Sequence, residues 1–246
     1  MVQQALPARD ARLGRAAGAT GTVHGVVLVL PGGEPESVRR TSARTAAAVR
    51  PLVRHLARAA PEESLVAHVV HYRYRGWNGE AAHPVADTAW ALDEVADRYG
   101  DVPVCLVGTD LGARAALRAA DHPAVVSVAA LAPWLPAVGE EPVRQLIDRR
   151  VLLVHGTDDR HTDPELSYRL AERAKKVNAD VCRFEVHTER HTLRHRRADV
   201  QALAADFVLG TLCGRDFSRP LTDALAAPPP LGLRMPLATG FGRHPR

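Results

Sequence analysis

The stretch DVPVCLVGTDLGARAALRAA, Asp101 to Ala120, carries the clearest structural signal in the chain. Val102-Pro103-Val104-Cys105-Leu106-Val107 is a short apolar run of β type. Gly108-Thr109-Asp110-Leu111-Gly112 makes a Gly-x-x-x-Gly corner, and the helix formers Ala113 to Ala120 follow. A strand that turns sharply into a helix holds its apex residue, here Asp110, in a strained conformation. The positions two before and two after the apex then have little room for a Cβ, which is why they are glycines.

Working outward, strand-like and helical segments alternate. Gly25-Val26-Val27-Leu28-Val29-Leu30 is a continuous apolar run, as expected of a strand buried on both faces, and it ends in Pro31-Gly32-Gly33-Glu34. From Ser42 to Ala60, Val49, Leu52, Val53, Leu56 and Ala57 repeat at helical spacing, with Pro51 expected to start or kink the helix. Leu65 to Tyr72 reads as a strand running into the loop Arg73-Tyr74-Arg75-Gly76-Trp77-Asn78-Gly79. Asp87 is read as the N-cap of a helix carrying Leu92, Val95 and Tyr99, closed by Gly100. Val125 to Leu131 and Val151 to His155 are further strands, the latter ending in Gly156-Thr157-Asp158-Asp159-Arg160. Asp163-Pro164 starts a helix, Val181 to Val186 is the last strand, and a helix through Val200, Leu203, Phe207 and Val208 follows His187-Thr188-Glu189-Arg190-His191. This alternation predicts an α/β fold: a mostly parallel, doubly wound sheet with helices on both faces.

The sequence divides as a loose leader over 1–21, one folded domain over 22–212, and a Pro- and Gly-rich tail over 213–246 that is expected to be extended and dispensable for stability. Hydrophobic residues at 46% and charged residues at 24% suit a soluble globule. The formal charge of +4 comes mostly from arginines scattered along the chain, without the dense basic run that nucleic-acid binding needs. The cysteines, Cys105, Cys182 and Cys213, are odd in number and far apart, which predicts no disulfide framework and a reducing, cytoplasmic compartment. No apolar run approaches membrane-spanning length. The histidines show no metal-ligand spacing, so neither a metal nor a cofactor is expected, and the partner expected is a small-molecule substrate. The sequence does not determine the oligomeric state.

Chemistry in a parallel sheet collects at the carboxyl ends of its strands. Asp110, Asp159 and His191 stand at three such ends, in that order. Asp158 competes with Asp159, and His155, His187 and His195 compete with His191. With the Gly108–Gly112 corner, the order nucleophile, acid, histidine resembles the α/β-hydrolase superfamily from about Gly25 to Leu212, Asp110 standing at the nucleophile elbow where Ser is usual. The resemblance implies an α/β-hydrolase fold and an oxyanion hole from the Gly32, Gly33 and Leu111 N–H groups, with Pro31 in place of the usual His. Tyr74, Trp77 and Trp134 are candidates for lining a substrate pocket, against a plain reading as core or surface aromatics.

The exchange at the apex changes the chemistry. A carboxylate is already ionised and needs no base before attack. On an ester carbonyl it gains little, whereas on an sp³ carbon with a leaving group it forms an alkyl ester. This resembles the epoxide hydrolase and haloalkane dehalogenase branch. That branch carries a helical cap between the strands ending at Leu131 and starting at Val151, where this chain is too short for one, and its Trp after the nucleophile is Leu111 here. The uncapped layout is similar to small actinobacterial-type esterases and dienelactone-hydrolase-like proteins. Three functions follow: a hydrolase with an Asp110–His191–Asp159 triad, an esterase-like binding protein that lost its Ser, or a lyase or cyclase using the Asp–His pair.

Overall fold

The computed structural model describes residues 8–59 and 64–242. Among the described residues nine strands form one sheet: β1 (Arg12–Leu13), β2 (Ala17–Gly18), β3 (Gly25–Leu30), β4 (Leu65–His71), β5 (Val104–Thr109), β6 (Val125–Leu131), β7 (Arg150–Gly156), β8 (Val181–Val186) and β9 (Met235–Pro236). The core order is β4-β3-β5-β6-β7-β8, all parallel. Within this parallel core the chain enters at β3, moves out to β4, and returns to the other side of β3 at β5. The carboxyl ends of β3 and β5 therefore lie side by side where the winding reverses, the place where such sheets form a crevice.

The wholly apolar strands split their side chains between two cores, as period 2 requires. Val27 and Val29 join one core with α1 (Ala43–Ala59), α5 (Arg197–Leu212) and α6 (Arg219–Ala226). Val26, Leu28 and Leu30 face the other, with α2 (His83–Tyr99), α3 (Leu111–Arg118) and α4 (Pro164–Val177). Between β6 and β7 the chain forms only a three-residue 3-10 turn, Arg144–Leu146, and no cap domain. No helix among the described residues is long and apolar enough to cross a membrane.

Several expectations are corrected. The first helix runs through Pro51 from Ala43 and does not begin at the proline. Asp87 is not an N-cap: α2 starts at His83, and Asp87 is fully buried inside it, accepting hydrogen bonds from the Arg73 backbone N–H at 2.8 Å and the Arg73 guanidinium. In the leader, whose residues 1–7 lie outside the described residues, β1 and β2 pair antiparallel with β4. Beyond Leu212, in place of an extended tail, the structure has α6 and then β9, parallel to β8. Leu221, Ala224 and Leu233 are fully buried there. Residues 243–246 lie outside the described residues.

Candidate active site

Asp110 sits between β5 and α3 with φ 53° and ψ −123°, a conformation that costs a non-glycine residue about 1–3 kcal/mol. Close packing enforces it. A Cβ on Gly108 would overlap the α3 backbone, and one on Gly112 would overlap the carbonyls of Leu30 and Pro31. The Asp110 N–H donates to the Leu131 carbonyl at 3.0 Å, and its own carbonyl accepts the Trp134 N–H at 3.1 Å. The apex is thus tied to the end of β6 on both sides.

Its carboxylate spans two partners. Oδ2 accepts the Gly33 N–H at 3.2 Å, and Oδ1 lies 3.1 Å from Nε2 of His191. A Cβ on Gly32 would stand 2.6 Å from Oδ2, so that glycine is what lets the carboxylate reach the loop. The expected oxyanion loop therefore meets an oxygen of Asp110 itself. Leu111, also expected there, is buried beneath the apex with Trp77 and Ala115.

His191 Nδ1 lies 2.7 Å from Oδ2 of Asp159. Asp159 is buried, and its carboxylate accepts further hydrogen bonds. His155 Nε2 lies 3.0 Å from Oδ2, and the His161 and Thr162 N–H groups donate to Oδ1 at 2.8 and 3.1 Å. Burial alone would raise this carboxyl, but the His155 and His191 hydrogen bonds and the two backbone donors hold it far below the usual range. Burial likewise pulls His191 down, yet the hydrogen bonds and charges of Asp110 and Asp159 outweigh it and raise the imidazole to about 9. The geometry separates the competing residues. Asp158 is exposed and turned to Thr157, His155 is buried behind Asp159 against Ser167, and His195 pairs with Glu189. His187 is exposed.

Above Asp110 and His191 opens a cavity of about 580 Å³. Val49 and Leu52 of α1 with Leu193 and Val200 give it an apolar wall, and Arg194 and Arg197 stand at its edge. Tyr74, Trp77 and Trp134 do not line it, which corrects their assignment to the substrate. Tyr74 is buried edge-on against His83 at 4.8 Å between centroids, and the Arg114 guanidinium lies over Trp77 at 3.9 Å and Trp134 at 5.1 Å. Trp77 lies in the loop after β4 and Trp134 in the loop after β6, and Arg114, which lies over both rings, is ion-paired with Glu141.

Two contributors escaped the sequence reading. His155 orients Asp159, although the spacing of four between them was visible. His161, two residues beyond Asp159, packs its ring at 4.6 Å from that of His191. Together Asp110, His161 and His191 offer three ligand-type atoms within 4.8 Å of one another. Their separation along the chain hides this set, and only the turns after β5, β7 and β8 assemble it.

No family model matches the chain, and no curated protein sequence does. Solved structures do resemble it. An esterase from Pyrococcus furiosus superposes with a TM-score of 0.61 at 14% identity, over 83% of this chain and 91% of that one. An alpha-beta serine hydrolase homologue from Coxiella burnetii gives 0.57 at 16%, over 80% and 91%. A cold-adapted esterase from an Arctic intertidal metagenomic library gives 0.58 at 16%, over 80% and 86%. At this identity the likeness establishes the fold: mostly parallel, of α/β-hydrolase type, over most of the chain.

Proposed function

We propose that this α/β-hydrolase-fold protein is a hydrolase of small organic substrates in which Asp110 is the nucleophile, His191 activates water and Asp159 orients His191. The observation that carries the reading is the division of the Asp110 carboxylate, with Oδ2 on the Gly33 N–H and Oδ1 on His191 Nε2, at a cavity with one apolar wall. Oδ1 attacks an sp³ carbon in the cavity, and the leaving group departs with the bonding pair. The product is an Asp110 alkyl ester whose carbonyl oxygen, Oδ2, already lies against an N–H donor.

Alkylation removes the Asp110 charge, one of the two anions that raise His191. The imidazolium then gives its proton to the leaving group more readily and can serve as the base. Water gives a proton to Nε2 and attacks the ester carbonyl. The negative charge that develops on Oδ2 is met by the Gly33 N–H. Collapse passes that proton from Nε2 to the departing alcohol, and the new carboxyl group gives its remaining proton to Nε2, which restores the carboxylate and the imidazolium. The net reaction converts the substrate and water into an alcohol and the protonated leaving group. The solved neighbours are described as esterases and a serine hydrolase homologue, which supports hydrolysis in general.

The test is a single turnover in oxygen-18 water, with epoxides, haloalkanes, short esters and lactones as the panel. The label should enter the Asp110 carboxylate, Asp110→Ala should be inactive, and His191→Gln should accumulate the alkyl-enzyme. Full activity in Asp110→Ala would overturn the reading. A second reading, a binding protein, draws on the same ion pair, since Asp110 and His191 already satisfy each other. A folded protein inactive on the whole panel would select it.

A further inference from the structure

Asp110, His161 and His191 reach one point from three turns: the elbow after β5, the turn after β7 and the loop after β8. Each offers one ligand-type atom, and all three atoms lie within 4.8 Å of one another. Ligands bound tetrahedrally at about 2.1 Å from Zn²⁺ stand roughly 3.4 Å apart, so a small inward movement closes the set. His161 is exposed and can supply that movement by a change of rotamer.

A second observation is independent of this spacing. His191 turns Nδ1 toward Oδ2 of Asp159 at 2.7 Å, which leaves Nε2 facing Asp110 and the cavity. A carboxylate behind a histidine is the arrangement that fixes ring orientation in metal sites and strengthens the ligating nitrogen. The same Asp159 accepts the backbone N–H of His161 at 2.8 Å and so holds both histidine-bearing turns together. The serine usual at the apex would add no anionic ligand here, and Asp110 does.

We propose that Asp110, His161 and His191 form a binding site for a borderline divalent transition ion, Zn²⁺ in the first place, with its fourth position open to the cavity. Two imidazoles and one carboxylate suit Zn²⁺ better than Mg²⁺ or Ca²⁺, which demand oxygen ligands. Bound Zn²⁺ occupies both Asp110 and the Nε2 lone pair of His191. It therefore switches off any attack by Asp110. That consequence rests on the nucleophile reading above, while the binding itself does not.

The experiment measures binding without turnover. Full-length protein freed of metal by a chelator is dialysed against micromolar Zn²⁺, and Co²⁺ is added separately to record its ligand-field absorption. Wild type should take up one equivalent of Zn²⁺ and give the intense visible bands of four-coordinate Co²⁺. His161→Gln and Asp110→Ser should each weaken binding at least about tenfold, and Asp159→Asn about 10–100-fold, as expected for loss of a supporting carboxylate. His195→Gln, outside the set, should bind as wild type. Thermal melts in chelator show which variants are folded, and the exposed His161 makes its variant the safest. No saturable equivalent in wild type, or equal binding by His161→Gln and His195→Gln, would overturn the site. Neither result bears on the oxygen-18 experiment, so the two readings fail separately.

Discussion

Leu221→Ala should destabilise the protein markedly, although it lies in a segment whose composition reads as a tail. Leu221 is fully buried on α6, in the core shared with α1 and α5. Truncating a buried leucine costs about 2–5 kcal/mol, the spread reflecting how far the site collapses. Leu221 is hemmed in. α6 packs on β8, the Lys175 ammonium donates to the Leu225 carbonyl at 2.6 Å, and the buried Arg183 donates to the Leu233 carbonyl at 2.9 Å. These ties resist collapse and favour roughly 3 kcal/mol. For a chain of this size that is a fall of roughly 6–12 °C in melting temperature. Leu231→Ala is the matched control: this side chain is 68% exposed, and its loss should stay within about 0.5 kcal/mol. Urea unfolding and thermal melts read both. Equal, small shifts for the two variants would refute the packing of α6 on the domain. Truncation after Leu212 should be worse still, because it also strips Arg183 of its carbonyl partner.

Gly112→Ala should destabilise by at least about 1–3 kcal/mol, since the new Cβ meets backbone carbonyls that have no rotamer to yield, whereas Gly21→Ala, in open space, should be neutral in the same urea titration. His68 is buried, with Nδ1 at 2.8 Å from the Gly14 carbonyl and Nε2 at 2.7 Å from the Tyr99 hydroxyl. Burial, with Arg98 adding to it, lowers this imidazole below 6.5 in the folded state. The unfolded chain therefore binds the proton first. The His68 contribution is complete above about pH 6.5 and is lost as pH falls below it, and His68→Gln should flatten that part of a urea-midpoint profile. Burial also pushes the Cys105 and Cys182 thiols up to about 12, so a thiol reagent should label only the half-buried Cys213 in native protein and all three after unfolding.

Local sequence determined the parts whose cause is local. Gly108 and Gly112 announce the elbow because the backbone leaves no space for a Cβ, and the apolar runs at Val26, Val104 and Val151 announce strands buried on both faces. The order of Asp110, Asp159 and His191 was legible because a parallel sheet places successive strand ends on one edge, and the three do meet there. Tertiary structure alone decided what depends on neighbours distant in the chain. The apolar residues of the tail are too few and too interrupted by proline to show a period. Their order comes from the free edge of β8 and the buried Arg183, which needs the Leu233 carbonyl. Trp77 and Trp134, from two different loops, pack against Arg114 and not on the cavity, a pairing that neither loop encodes. His161 comes near Asp110 and His191 through the fold, where one carboxylate, Asp159, bonds both its turn and His191.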